Sequence, residues 1–137
     1  MAGPSDFNTK IIEEFRANAG IVGGPFEGAP MVLITTTGAK SGQPRTAPLV
    51  YLPDGDRVVI FASKAGAPTH PDWYHNLKAN PAVQVEVGAD AYGATAVEVT
   101  GAERDALYAK QVERMPGFKA YQDGITRVIP VIALERS

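Results

Sequence analysis

From Thr35 to Thr46 the chain reads Thr-Thr-Thr-Gly-Ala-Lys-Ser-Gly-Gln-Pro-Arg-Thr, which sets two glycines, a lysine, a serine and an arginine between stretches of β-type residues. Such a loop can turn main-chain N–H groups, a hydroxyl and two cations toward a phosphate. The same composition also serves a Gly-rich hairpin with solvated charges. It is not a Walker A loop: Lys40-Ser41 is present, but the G-x-x-x-x-G-K-[ST] spacing is absent and a strand, not a helix, follows. A second small-residue loop, Ala62-Ser63-Lys64-Ala65-Gly66-Ala67-Pro68, leaves a strand with one lysine, and its plain reading is a connection into the next helix. Charge sorts with these loops. Between Gly38 and Lys78, Lys40, Arg45, Arg57, Lys64 and Lys78 oppose only Asp54, Asp56 and Asp72, while the remainder of the chain is acidic. That window would draw an anionic ligand.

Two further segments carry aromatic and titratable groups. In Pro71-Asp72-Trp73-Tyr74-His75-Asn76-Leu77, Trp73 and Leu77 share a helix face one turn apart, which suits core packing as well as a ligand platform. His75 and His70 are five residues apart and no carboxylate completes a recognisable ligand spacing, so no metal site is expected. No G-x-S-x-G turn supports a Ser-His-Asp hydrolase. In Met115 to Arg127, Phe118 and Tyr121 lie on one face of a short helix, fitting either a core edge or the lid of an apolar pocket.

The elements that must hold these groups follow from pattern. Ser5-Asp6 starts a helix, Phe7, Ile11, Ile12 and Phe15 give it one apolar face to about Asn18, and the Gly- and Pro-rich run 19–30 forms a loop. Short β-type runs follow at 31–37, 46–52, 57–62, 82–87, 92–100 and 129–134, and six strands in 137 residues suggest a closed or nearly closed barrel. Pro53-Asp54-Gly55-Asp56 is a turn that makes its flanking strands an antiparallel hairpin. Thr69-His70-Pro71-Asp72 offers a cap, a proline and an acid ahead of a helix at 73–79, ended by Asn80-Pro81. A second helix spans Glu103 to Arg114 and stops at Pro116-Gly117.

This length fits one domain, 1–137, so any site must share the core that holds the fold. With no cysteine there are no disulfides and no thiolate chemistry, and a net charge of −2 gives no sequence-wide reason to expect nucleic acid. The amino terminus lacks a basic start followed by an apolar run, and no stretch approaches the roughly 20 apolar residues of a bilayer span, so a cytoplasmic protein is expected. Peripheral membrane contact through the amphipathic opening helix stays open, as does the choice between monomer and homodimer.

Four ordered blocks resemble the deazaflavin (F420)-dependent nitroreductase family, over about Val32 to Leu134. They are Thr37-Gly38-Ala39-Lys40-Ser41-Gly42-Gln43-Pro44-Arg45, Ala62 to Ala67, Trp73 to Pro81, and Arg127-x-Ile129-Pro130. The resemblance implies a mainly β, α+β fold, a split β-barrel related to FMN-binding barrels, holding coenzyme F420 in a groove and passing hydride to a small conjugated acceptor. It implies that Lys40, Ser41 and Arg45 hold the phosphate and glutamyl tail, Pro48, Leu49 and Val50 line the ring, Phe61, Ala62, Ser63 and Lys64 follow its edge, and Asp72, Trp73, Tyr74, His75 and Asn76 close over it. In the nitroimidazole-activating member, tyrosines stand at the positions of Met115, Phe118 and Tyr121, so two of those three phenols are missing here. Tyr121 is the candidate for orienting or protonating the acceptor. Two other readings remain: a non-enzymatic F420 carrier, and an FMN or haem-degrading split-barrel protein of another branch.

Overall fold

The computed structural model describes residues 6–23, 30–55, 57–67 and 69–136, with 6–8 and 65 described by main chain alone. The helix start at Ser5, the loop portion 24–29 and the turn residue Asp56 lie outside these. In chain order come α1 (Asp6–Ala17), β1 (Met31–Thr37), β2 (Pro44–Val50), β3 (Leu52–Asp54), β4 (Arg57–Phe61), a 3-10 turn (Lys64–Gly66), α2 (Asp72–Ala79), β5 (Ala82–Val87), β6 (Asp90–Val99), α3 (Gly101–Arg114), α4 (Gly117–Asp123) and β7 (Val131–Arg136).

One antiparallel sheet runs in the order β2-β1-β5-β6-β7-β4-β3. Its two edge strands, β2 and β3, are separated in the chain by Tyr51 alone. A single residue spans only ~3.5 Å, so the sheet must roll until its edges meet at Tyr51. The strand expected at 46–52 is therefore two half-strands on either side of a corner, and the six expected strands become seven. Away from that corner the edges part. The outer side of β2 is unpaired, and β4 runs beyond its last β3 partner at Val59 to Ile60 and Phe61. This is a split barrel. Pro44 and Pro48 lack N–H donors, and an edge strand tolerates them where a central strand would not.

Alternation along the strands sorts side chains into three clusters. Val32, Ile34, Val58, Ile60, Val83, Val85, Ile132 and Leu134 fill the interior. Leu52, Val59, Phe61, Val131 and Ala133 point out of the sheet and are covered by Leu107, Tyr108 and Phe118 of α3 and α4. Met31 and Leu33 are covered by α1. Burial on both faces explains why β1, β4 and β7 are continuous apolar runs. The hairpin at Gly55 is as expected, pairing Leu52 with Val59 and Asp54 with Arg57.

The apolar face of α1 is turned inward: Ile11, Ile12 and Phe15 are 6%, 8% and 1% exposed beneath the sheet's outer face. Among the described side chains, that face is used by the core and does not serve membrane contact. No described helix is long and apolar enough to cross a membrane.

Candidate active site

Both small-residue loops sit at the open end of the split, one following β1 and the other following β4. In the first, the amides of Gly38 and Gly42 bond to carbonyls within the loop, Gln43 N–H donates to Ser41 Oγ at 3.2 Å, and Ala39 N–H donates to Asn76 Oδ1 at 2.9 Å. A Cβ at Gly38 would lie 2.5 Å from Ser41 Oγ and 3.2 Å from Gln43 O, so a side chain there would displace the Ser41 hydroxyl. Most amides of this loop are thus consumed internally, and what it offers outward is the side chains of Lys40, Ser41 and, on β2, Arg45, all exposed.

The second loop does the opposite. Ser63 is right-handed helical (φ −77°, ψ −34°) and Lys64 is left-handed (φ +48°). A right-handed residue followed by a left-handed one turns successive N–H groups into one concavity, an arrangement that binds anions. Among the described residues, the N–H groups of Ser63 and Lys64 have no acceptor. The Lys64 side chain reaches Thr69 Oγ1 at 3.3 Å, so Thr69 serves the loop and not as a helix cap; Pro71 stands at the N-cap of α2.

Charge pairing narrows the basic window. Arg57 is taken by Asp54, Glu103 and Glu135 at the far hairpin, and Lys78 by Glu98 at 2.9 Å. Among the described residues, Lys40, Arg45 and Lys64 have no carboxylate partner. The three cations left over are those of the two loops and the strand between them.

Helix α2 ties the loops together. Asn76 is buried, and its Nδ2 donates to the buried Thr36 Oγ1 at 3.2 Å while its Oδ1 holds Ala39. Its amide is therefore used within the protein. Trp73 and Leu77 pack against the barrel interior, the plain reading of that pair. Tyr74 donates to Glu98 Oε1 at 2.8 Å; burial, then that bond, pushes its phenol up to about 12, so it is no acid for neutral pH. Burial raises the Glu98 carboxyl, yet the bonds from Lys78 and Tyr74 outweigh it and hold Glu98 below its ordinary value. Asp72 and His75 are exposed. Among the described residues no three His, Cys, Asp or Glu side chains converge as a metal site would require.

On β2, Leu49 faces the interior and Val50 faces α1, with Pro48 on the Val50 side by alternation. Phe61 packs between Tyr108 and Phe118, centroids 5.8 Å from each, so its ring belongs to the outer core. Ala62 and Ser63 are buried. Phe118 and Tyr121 form a core edge with centroids 5.2 Å apart. Tyr121 also abuts the second loop, since a Cβ on Gly66 would lie 3.2 Å from its Cδ1.

Residues 9–136 match the family described as F420H(2)-dependent quinone reductase. The chain belongs to that family. An F420H(2)-dependent quinone reductase of Mycobacterium tuberculosis is 43% identical over 126 residues, covering 89% of this chain and 85% of the relative. A solved F420-H2 dependent reductase, 44% identical, superposes with a TM-score of 0.72 over 77% of this chain and 94% of its own. A second solved structure, described as a domain-swapped dimer, is 40% identical with a TM-score of 0.74 and 93% coverage of both. A pyridoxamine 5'-phosphate oxidase-like protein of Listeria innocua, at 13% identity and a TM-score of 0.59 over 79% of this chain and 84% of its own, shares the fold.

In this member of the quinone reductase family, sequence reasoning singled out both loops but missed what holds them. Arg127 Nη2 donates to Ser63 O at 2.9 Å and Ala67 O at 3.0 Å, and Nη1 to Ala62 O at 3.0 Å. The only signal in the sequence was the presence of Arg127 in the last of the four blocks, without a role attached.

Proposed function

We propose that this chain is an F420-dependent oxidoreductase that reduces a small conjugated acceptor of the quinone class. The observation that carries the reading is that, among the described residues, Lys40, Arg45 and Lys64 have no carboxylate partner and stand on the two loops and the strand at one end of the split, where the N–H groups of Ser63 and Lys64 have no acceptor. That donor set suits a coenzyme with a phosphodiester and a carboxylate tail: forks and point charges for the tail, N–H groups for the phosphate. Bound there, the reduced deazaflavin supplies a hydride, which is the chemistry the protein itself lacks.

The chain's own residues bind, orient and exclude water. Lys40, Ser41 and Arg45 hold the anionic tail, and Ser63 and Lys64 the phosphate. A ring laid along β2 would meet the Leu49 side chain and the main chain at Pro48 and Val50. Trp73 closes the interior beneath α2. Fixing two reactants side by side lowers a barrier by roughly 7–11 kcal/mol without any acid or base. Both loops and the helix between them come from one copy, in one domain, and a cytoplasmic setting accords with a diffusible coenzyme.

The test is a fluorescence titration with oxidised F420 and with FMN, followed by menadione reduction using reduced F420. Saturable F420 binding with FMN much weaker, and menadione-dependent oxidation, are expected. Tight binding with no acceptor turned over would favour the carrier, and preference for FMN would overturn the reading.

Tyr121 is assigned to the acceptor side. Its ring touches Gly66, and its hydroxyl has no partner among the described residues, so it is available to a ligand. Tyr121→Phe is expected to lower turnover while F420 affinity holds, by about tenfold where the hydroxyl orients the acceptor through one hydrogen bond and by ~10²-fold or more where it delivers the proton. A wild-type rate with wild-type affinity would reassign Tyr121 to packing.

A further inference from the structure

We propose that Arg127 is a positioning residue: its guanidinium holds the 62–67 turn in the form that presents the N–H groups of Ser63 and Lys64, and thereby sets affinity for the anionic end of the coenzyme. The inference rests on reading that turn as an anion site. Lys64 has φ +48°, a conformation that disfavours a side-chain-bearing residue and persists only where the surroundings over-determine it. Gly66, at φ +82°, continues the irregular path.

Two main-chain bonds close the turn, Gly66 N–H to Ser63 O at 2.9 Å and Ala67 N–H to Lys64 O at 3.0 Å, and one distant side chain grips it from outside. Arg127 Nε and Nη2 both donate to Ala67 O, at 3.1 and 3.0 Å, Nη2 also reaches Ser63 O and Nη1 reaches Ala62 O, so the fork grips the turn on both sides of Lys64. Nη1 also lies 3.0 Å from His70 Nδ1. A guanidinium can only donate, so Nδ1 must accept and the neutral His70 carries its proton on Nε2. Burial, then the Arg127 charge, favours that neutral form. His70 stacks against Tyr74 of α2 with centroids 4.7 Å apart, which continues the tie from the turn to the helix that holds the other loop.

Arg127 is itself held in place. Gln122 Nε2 donates to its carbonyl at 2.8 Å, and Gln122 Oε1 accepts from Ile129 N–H at 2.9 Å and from Arg104 Nη2 at 2.8 Å. The segment between α4 and β7 is thus fastened before its guanidinium reaches the turn. Carbonyls caught by Arg127 face away from the N–H groups of the same turn, so fixing the one set aims the other. None of the groups that Arg127 touches is a carboxylate, so its work here is geometric.

Arg127→Lys keeps the charge and loses the fork. In that variant the Kd for oxidised F420, read by fluorescence, is expected to rise about tenfold or more. Amide hydrogen exchange at Gly66 and Ala67, whose N–H groups close the turn onto Ser63 O and Lys64 O, should quicken in the coenzyme-free protein, with the Gly38 and Gly42 amides unchanged. At saturating F420, the KM for menadione and kcat should stay within about twofold, a split that general loosening of the fold would not give. Unchanged affinity, or unchanged exchange at Gly66 and Ala67, overturns the proposal. If wild-type protein fails to bind F420, the anion-site reading falls first and the proposal with it; binding by wild type and variant alike removes only the role of Arg127. Should Arg127→Lys not fold, Gly66→Ala strains the same turn with the guanidinium in place, and retention of full F420 affinity there overturns the proposal.

Discussion

Asn76→Ala should lower stability by about 2 kcal/mol and weaken F420 binding by roughly tenfold, two effects from the loss of one amide. Asn76 is 8% exposed and Thr36 1%, so the Thr36 hydroxyl would be left buried without the donor that now reaches it at 3.2 Å. Leaving a buried polar group unmade costs ~1–3 kcal/mol. Ala39 N–H, by contrast, lies in an exposed stretch and can turn to water, so its release adds less to the stability change. Its consequence falls on binding. Freed from Asn76 Oδ1, the loop carrying Lys40 and Ser41 gains conformations that a ligand must then remove. Chemical denaturation measures the first effect and fluorescence titration the second. Asn76→Asp separates geometry from charge: it still accepts from Ala39 N–H and can accept from the Thr36 hydroxyl, but it places an anion beside the Lys40 loop. Near-normal stability with weakened F420 binding is expected there. If Asn76→Ala is destabilised yet binds as wild type does, the loop does not depend on α2 for its shape.

The candidate site was legible in the sequence only as far as local composition marked its loops and turns. Small residues with Lys40 and Arg45 marked the first loop, and the antiparallel hairpin could be read from Asp54-Gly55, because both depend on local conformation alone. What could not be read was the partner of each polar group. Lys78 and Arg57 counted toward the same basic window as Lys40, yet Glu98 and the Asp54, Glu103 and Glu135 set neutralise them, and those pairings join residues up to 78 positions apart. The corner at Tyr51 was equally hidden. Apart from Ala47 and Pro48 the residues from 46 to 52 have β character with no turn signal at Tyr51, and only the sheet order shows that their two halves lie on opposite edges. Nor does pattern distinguish a lysine that adopts a left-handed backbone: the side chain that grips the turn on both sides of Lys64 is Arg127, 63 residues further on.

Removing both Lys40 and Arg45 as alanines should weaken F420 binding by roughly a hundredfold or more, the largest affinity change expected of any pair here. Each charge-assisted bond contributes about 1.5–3 kcal/mol, and neither residue offsets that by supporting the fold. Both are exposed, and among the described residues neither is paired with a carboxylate, so stability should stay within about 0.5 kcal/mol of wild type. The single variants need not sum to the double, because the two cations flank one short loop and can share the same anion. Salt provides an independent check on the same residues. Exposed charges act over a Debye length of ~10 Å at 0.1 M and ~3 Å at 1 M, so wild-type affinity should fall as salt rises and the double variant should respond less. Lys64 should keep some salt dependence in the double variant, because on the proposed reading its ammonium and the N–H groups of Ser63 and Lys64 would still meet the phosphate. If the double variant binds F420 as tightly as wild type, or loses affinity without losing salt dependence, the cations of the first loop are solvated surface. In that case the turn after β4 would hold the coenzyme's anionic end alone.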